Sequence, residues 1–366
     1  MTDLPQGWRE ISLGELTEIK YGKSLDKSLR SDVGLIPVVG SAGVMTQTDI
    51  PFVMDPCVVV GRKGNVGSVQ YFPDGCYPID TVYYFTAPIE MLPNYLNLSL
   101  ESKKLKDLDS STAIPSLRRD DLESVQVSIP PFAEQERIVE ILEEQFSRLD
   151  SALASVKAVR EKAKAFRRSL LHSAFSGELT GGTEGWREVA LGEIADVGWG
   201  DLKVTKNSYV DDGYTAYSAT GPDGKLPYFD YDQTGIIVSA IGAQCGKVFL
   251  ATGKWSCIKN TMRILSTKEE VSINYLFHLL STDFLPKRGS GQPFIGQKDA
   301  REALVSIPPI TTQERIVSVL EEQFSKLDKA LEVANQLEAR IASERRSLLH
   351  AAFTGELTSQ WRKTHV

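Results

Sequence analysis

The sequence predicts an α+β chain of two pseudo-symmetric modules, each a strand-rich globular part followed by a long amphipathic helix, with the two helices paired antiparallel as a coiled coil. Three observations predict it. First, the chain repeats itself at a constant shift of 178: Gly7-Trp8-Arg9-Glu10 returns as Gly185-Trp186-Arg187-Glu188, and Leu13-Gly14-Glu15 as Leu191-Gly192-Glu193. Ser128-Ile129-Pro130-Pro131 likewise matches Ser306-Ile307-Pro308-Pro309, and Gln135-Glu136-Arg137-Ile138-Val139 matches Gln313-Glu314-Arg315-Ile316-Val317. Gly177-Glu178-Leu179-Thr180 matches Gly355-Glu356-Leu357-Thr358 at the same shift. One offset over so many words means two long homologous modules, not a solenoid of short repeats. Second, after each Pro-Pro pair the apolar residues recur at three and four. Third, the apolar runs elsewhere are short, β-branched or aromatic, and bounded by Gly, Pro and Asp.

The elements follow in order along the chain. In residues 1–130 the runs Cys57-Val58-Val59-Val60 and Val82-Tyr83-Tyr84-Phe85 read as strands, and the alternation of Val125, Val127 and Ile129 gives a last short strand that Pro130-Pro131 ends. Over 131–180, Val139, Leu142, Phe146, Leu149, Leu153 and Val156 form an a/d heptad seam. Residues 181–308 repeat the globular pattern, with Gly235-Ile236-Ile237-Val238 as a strand, but diverge from the first copy far more than the helices do. Over 309–366 the seam returns as Val317, Leu320, Phe324, Leu327, Leu331 and Ala334, with Thr311 and Glu314 as a capping-box pair. Gly177 and Gly355 sit where a helix C-terminal glycine belongs. Each helix should run about 40 residues, or ~60 Å. After Thr358 comes Ser359-Gln360-Trp361-Arg362, as if the Trp-Arg opening began a third time, so the repeat closes in a circular sense.

Charge chooses the direction of pairing. The first helix begins acidic (Glu134, Glu136, Glu140, Glu143, Glu144) and ends basic (Lys157 through Arg168), and the second carries Glu314, Glu321 and Glu322 early and Arg340, Arg345 and Arg346 late. Antiparallel packing sets acid against base at both ends; parallel packing stacks like on like.

Composition bounds the function. The 366 residues are 42% hydrophobic and 24% charged, which suits folded domains with proper cores. No run of about 18 apolar residues offers a membrane span, and Met1-Thr2-Asp3-Leu4-Pro5 lacks a signal-peptide pattern, so a cytoplasmic protein is expected. Cys57, Cys76, Cys245 and Cys257 make no CxxC pair, and are read as reduced, mostly buried thiols and not as a metal or redox site. Net charge is −7, against any protein that holds nucleic acid by bulk electrostatics alone.

The order of divergent domain, Ile-Pro-Pro, Gln-Glu-Arg-Ile-Val, long heptad helix, Gly-Glu-Leu-Thr, then all of it again, resembles the specificity (S) subunit of a type I restriction-modification enzyme. The resemblance covers essentially the whole chain and is most specific over Ser128–Val139 and Ser306–Val317. It implies two target recognition domains, 1–130 and 181–308, each reading one half of a split, asymmetric sequence in double-stranded DNA. It implies that the helical regions 131–180 and 309–366 set the gap between the halves. They would also dock two adenine-N6 methyltransferase (modification) subunits, which restriction/translocase subunits join. S-adenosylmethionine, ATP and Mg would belong to those partners, with no cofactor, metal or catalytic residue in this subunit.

The residues agree with the last point. No Asn-Pro-Pro-Tyr methylase motif is present, and Gly242-Ala243-Gln244-Cys245-Gly246-Lys247-Val248 is one residue short of a phosphate loop and lacks Ser or Thr after the Lys. Gly221-Pro222-Asp223-Gly224 reads as a turn before it reads as a nuclease metal site. His172 and His350, repeat partners at the helix ends, are expected to pack or cap. A second reading is a non-enzymatic antiparallel coiled-coil scaffold whose heads bind proteins, which the acidic balance would suit.

Candidate DNA contacts lie in polar, glycine-rich loops, where backbone can approach phosphates and Arg, Lys, Asn and Gln can reach base edges. In the first head these are Tyr21, Lys23, Ser41, Arg62, Lys63, Asn65, Ser111, Thr112, Arg118 and Arg119. In the second they are Gln244, Lys247, Lys259, Asn260, Arg288, Ser290, Gln292 and Lys298. Aligning Gly67 with Gly246 places Asn65 over Gln244, two amides able to clamp an adenine or hold a turn. Residues 1–130 hold 12 basic and 17 acidic residues and 181–308 hold 13 and 15, so neither head is basic, and much of the phosphate neutralisation is expected from partner subunits.

Overall fold

The computed structural model describes residues 4–109 and 115–365. It divides into two compact units, Met1–Val156 with Asn335–Val366, and Lys157–Ala334. The cuts fall at Val156/Lys157 and Ala334/Asn335, positions related by the 178-residue shift. Each unit thus contains one head, the early half of the helix that follows it, and the late half of the other helix.

The heads share a plan. In the first, strands Lys20–Tyr21, Val82–Thr86, Cys57–Gly61 and Val69–Phe72 form an antiparallel sheet. In the second, Ala195–Trp199, Thr261–Ser266, Gly235–Ser239 and Val248–Ala251 do the same. The valines of Cys57–Gly61 and the Ile236–Val238 run are fully buried, as continuous β-branched runs require. A smaller sheet lies beside each: Gly43–Thr48, Ile36–Gly40 and Tyr77–Pro78 in the first head, and Gly221–Leu226, Tyr214–Ser218, Lys254–Cys257 and Tyr231–Asp232 in the second. All four cysteines are free and buried, with the Sγ atoms of Cys57 and Cys76 3.6 Å apart.

The recurring words are the joints between head and helix. Arg9–Ser12 pairs with Gln126–Ile129 in the register Arg9↔Ile129, and Arg187–Ala190 with Leu304–Ile307 in the register Arg187↔Ile307. The hydroxyl of Tyr95 donates to the Ser128 carbonyl at 2.8 Å, and that of Tyr275 to the Ser306 carbonyl at 2.8 Å. Gln135 is fully buried; its Oε1 accepts from the Leu92 N–H (2.9 Å) and its Nε2 donates to the carbonyls of Glu90 (3.0 Å) and Pro130 (3.1 Å). Gln313 repeats this on Ser272 (2.9 Å), Glu270 (2.9 Å) and Pro308 (2.8 Å).

The long helices are Phe132–Phe175 and Ile310–Phe353. Within the first unit, Asp150 meets Arg345 at 3.4 Å while Glu134, four turns earlier, meets Thr358 and Arg362, so the two segments run antiparallel. Within the second, Asp328 meets Arg167 at 3.4 Å and Arg315 donates to the Thr180 carbonyl at 3.2 Å, again antiparallel. These crossings are the same by repeat: Arg345 lies over the Phe146 ring (4.0 Å) and Arg167 over Phe324 (4.1 Å). The exposed ion pairs each contribute under about 1 kcal/mol, so they select direction while Ile138, Leu142 and Phe146 against Leu349, Ala352 and Phe353 supply the association in the first unit.

The structure departs from the sequence reading at four points. The second helix already begins at Ile310, so Thr311 lies inside the first turn, and Thr312 and Gln313 donate their N–H groups to the Pro309 carbonyl; the expected Thr311–Glu314 cap is not the start. Ile138, fully buried, is the residue that enters the core beside a half-buried Val139, because the head packs on the helix there and widens the seam to one side. His172 and His350 are exposed, not buried in the apolar helix ends. Gly221-Pro222-Asp223-Gly224 is strand, paired across a register shift at Ala216/Tyr217. By contrast Gly177 (φ +85°) and Gly355 (φ +77°) do occupy the left-handed conformation that ends each helix.

The third Trp-Arg has a structural use. Glu134, with no exposed surface, accepts from Trp8 Nε1 (3.0 Å), Thr358 Oγ1 (2.6 Å) and Arg362 Nε (3.0 Å), which ties the C-terminal segment to the head and helix of the first unit. The repeat partners of Glu134 and Arg362 are Thr312 and Glu184, so this buried ion pair has no twin in the second unit.

Candidate nucleic-acid interface

In the first head, the loop that leaves Cys57–Gly61 is folded on its own backbone. Gly61 N–H donates to Ser68 O (2.8 Å), Gly67 N–H to Gly61 O (2.8 Å) and Ser68 N–H to Asn65 O (3.4 Å). The turn needs its glycines: Gly64 and Gly67 have φ of +79° and +71°, and a Cβ on Gly61 would stand 2.1 Å from the Asn65 carbonyl. The second head repeats the loop one residue longer: Ser239 N–H to Lys247 O (2.8 Å), Gly246 N–H to Ser239 O (2.8 Å), Lys247 N–H to Gln244 O (3.0 Å). Asn65 and Gln244 therefore hold the same place on matched backbones.

Neighbouring segments match too. Arg62 N–H donates to Thr81 O (2.9 Å) and Leu117 N–H to Arg62 O (2.9 Å), while Ala240 N–H donates to Asn260 O (2.9 Å) and Ile295 N–H to Ala240 O (2.8 Å). Lys63 bridges Ser116 as Ile241 bridges Phe294. One backbone frame thus presents different side chains in the two heads.

On the first frame, Tyr21, Ser41, Arg62, Lys63 and Asn65 come together. Ser41 Oγ accepts from the Asn65 N–H (3.4 Å) and its carbonyl from Ser68 Oγ (2.7 Å). Tyr21 is exposed and packs its ring on buried Tyr83 at 5.0 Å, and the Arg62 guanidinium lies over both rings, at 5.0 and 5.8 Å. Burial, with the Tyr21 hydroxyl beside it, pushes the Tyr83 phenol up to about 12. Lys23 sits on the same edge, its N–H on the Pro78 carbonyl at 2.9 Å. Arg118 is exposed ahead of the short helix Arg119–Glu123, while Arg119 is engaged by Glu123 at 2.7 Å and is less available than the sequence suggests. Ser111 and Thr112 lie outside the described residues.

On the second frame, Gln244 and Lys247 stand beside Asn260, which adopts φ +71°, and beside the 288–294 turn, joined through Gly242 N–H to Pro293 O at 2.9 Å. Ser290 and Gln292 are exposed on that turn. Arg288, expected as a contact, is paired with Asp299, and Lys298 faces Glu302 on its own helix at 3.7 Å. Lys259 is exposed next to Asn260, its N–H on the Val204 carbonyl at 3.2 Å.

Sequence reasoning missed the residues that hold these groups. Tyr83 was legible only as strand core, because alternation reveals its face but not that Tyr21 lies opposite it. Asp223 accepts from Lys206 Nζ (2.6 Å), Tyr209 (2.8 Å), Ser218 (2.6 Å) and Thr220, and these bonds, prevailing over its burial, hold the carboxyl well below the usual range. Its lone pairs are occupied by the head itself. Among the described residues no group of three or more His, Cys, Asp or Glu is placed to hold a metal, and no helix is long and apolar enough to cross a membrane.

Comparison with known proteins places this architecture. Residues 5–156 and 183–342 match the family described as type I restriction modification DNA specificity domain. The chain is 25% identical to the specificity subunit of the type I restriction enzyme EcoDI of Escherichia coli, over 98% of this chain and 90% of that one. It is 19% identical to the MjaVIII specificity subunit of Methanocaldococcus jannaschii, over 97% and 94%. A chain solved in work on complex assembly and conformational transition of the type I R-M system shares the fold with a TM-score of 0.76 at 18% identity, covering 97% of this chain and all (100%) of that one. The HsdS subunit from Thermoanaerobacter tengcongensis gives 0.53 at 19% identity, over 97% and 98%.

Proposed function

The chain belongs to the type I restriction-modification DNA specificity family, and from that premise we propose that its two heads read the two halves of a split, asymmetric sequence in double-stranded DNA. The observation that carries this is the shared loop frame: Gly61–Ser68 and Ser239–Lys247 fold alike yet present different polar side chains. A common frame suits a common ligand geometry, and differing side chains suit differing bases. The contacts are drawn from Tyr21, Lys23, Ser41, Arg62, Lys63 and Asn65 in one head and from Gln244, Lys247, Asn260, Ser290 and Gln292 in the other. The long helices dock two adenine-N6 methyltransferase subunits, which bring S-adenosylmethionine, and restriction/translocase subunits with ATP and Mg join them in the cytoplasm. The subunit itself is non-catalytic and selects the site at which its partners act.

Co-expression with a methyltransferase subunit, followed by methylation mapping of host DNA, tests this. Methylated adenines in one two-part motif are expected, and their absence in a complex that assembles would refute the reading. The acidic balance adds that the subunit alone binds DNA weakly, so equal affinity with and without the partner would count against it.

A further inference from the structure

We infer that Arg62 is the guanine reader of the first head, a step that rests on the DNA-reading function proposed above. Its guanidinium is held before any ligand arrives. It lies over the Tyr21 and Tyr83 rings, one Nη donates to the Asp80 carbonyl at 3.2 Å, and its own backbone is fixed on both sides by Thr81 and Leu117. Tyr21, the outer ring of the stack, is exposed, so the stack stands at the surface of the loop cluster. A planar fork fixed in this way pays little ordering entropy on binding and suits a pair of acceptors side by side. In DNA that pair is guanine O6 and N7 in the major groove, or two oxygens of one phosphate.

The second head decides between them. Its equivalent of Arg62 is Ala240, which makes the same two backbone bonds, and its equivalents of Tyr21 and Tyr83, the paired residues Trp199 and Met262, no longer form a tyrosine platform. The arginine is therefore not needed to build the frame. The sugar-phosphate backbone is the same beneath both heads, so a phosphate-binding cation at this place would serve both equally. A cation present at this position in one copy of a shared frame and absent from the same position in the other varies as bases vary. The Tyr21–Tyr83 platform changes with it, as expected if the platform exists to aim the arginine.

The test uses the full chain assembled with its methyltransferase partner. Arg62→Ala and Arg62→Lys are compared with wild type by methylation mapping and by competition with duplexes substituted at single base pairs, after thermal melting has matched their stability. The half-site of the first head is expected to contain a guanine. Arg62→Ala should then lower discrimination for it by about 10- to 100-fold, leaving the other half-site unchanged, and Arg62→Lys should relax it too because a lysine cannot span both acceptors. Uniformly weaker binding with the motif intact would make Arg62 a phosphate contact and overturn the inference, as would full discrimination by Arg62→Lys or a first half-site without G·C. A wild-type complex without a two-part motif refutes the functional reading and this inference together. A two-part motif indifferent to Arg62→Ala refutes this inference alone.

Discussion

Truncating Gln135 to alanine should loosen one head from its helix and leave the other joint untouched. Three hydrogen bonds converge on this fully buried amide, and alanine would strand the Leu92 N–H together with the Glu90 and Pro130 carbonyls. A buried group left unsatisfied costs roughly 1–3 kcal/mol, and the carbonyls, each with a second lone pair, fall at the low end, so the joint loses about 3 kcal/mol. That is roughly two decades in the equilibrium for local opening. Hydrogen exchange read by mass spectrometry on peptides covering 88–96 and 268–276 resolves it. The Leu92 amide has lost its acceptor and should exchange about a hundredfold faster, while the Ser272 amide, held by Gln313 at 2.9 Å, should keep its protection. Gln313→Ala should give the mirror-image result. Unchanged exchange over 88–96, or equal acceleration in both peptides, would refute the claim that the repeated glutamines are independent joints.

Other consequences can be checked in parallel. Burial, with the Arg167 cation adding to it, pushes His278 down to about 4, whereas the unfolded chain takes up the proton from about 6.5. The second unit should therefore hold its full stability above pH 6.5 and lose up to about 3 kcal/mol as pH falls toward 4; His278→Leu, which copies the equivalent Leu98 of the first head, should flatten this slope in urea melts taken between pH 4 and 7. Arg345→Ala removes a cation over Phe146 and a partner of Asp150, and should destabilise the first unit by about 1 kcal/mol, with Arg167→Ala doing the same to the second through Phe324 and Asp328; an effect of either on both units, read by exchange, would contradict the division. Inserting four residues after Val156 and after Ala334 adds about one turn, ~6 Å, to each helical connection. At 3.4 Å per base pair, methylated motifs should then show the same half-sites with a spacer longer by about one or two pairs, and an unchanged gap in an active enzyme would mean that the helices do not set it.

The joints were legible in the sequence because they are made of identical words. Gln135 and Gln313, Ser128 and Ser306, and Arg9 and Arg187 repeat at one shift, and each does the same physical task twice. The antiparallel direction was legible because acid and base are segregated along each helix, and Asp150–Arg345 and Arg167–Asp328 realise it. What sequence could not give is cross-strand company. Tyr83 carries the aromatic face on which Arg62 rests, but the long stretch of chain between Tyr21 and Tyr83 hides the pairing. The capping-box pattern at Thr311 misled because two prolines had already fixed the backbone: the Pro309 carbonyl accepts the first helical N–H groups, and the helix starts at Ile310, ahead of the side-chain signal.

Negative charge and DNA reading are reconciled by where the cations stand. Two arginines expected as DNA contacts are engaged within the fold, Arg119 by Glu123 and Arg288 by Asp299, and Arg263 is likewise held by Asp196 at 2.6 Å. Each such pair removes a cation from general attraction and fixes a loop or strand instead. The groups left at the loop frames are few, and those nearest the frames, Asn65, Gln244 and the stacked Arg62, are suited to base edges more than to a diffuse phosphate field. A subunit arranged in this way contributes discrimination at the cost of affinity. Under the proposed function the phosphate neutralisation is supplied by partner subunits on the same duplex, so binding by the assembled complex should show a salt dependence steeper than this chain alone can produce. A complex whose salt slope equals that of the isolated subunit would place the phosphate contacts here after all.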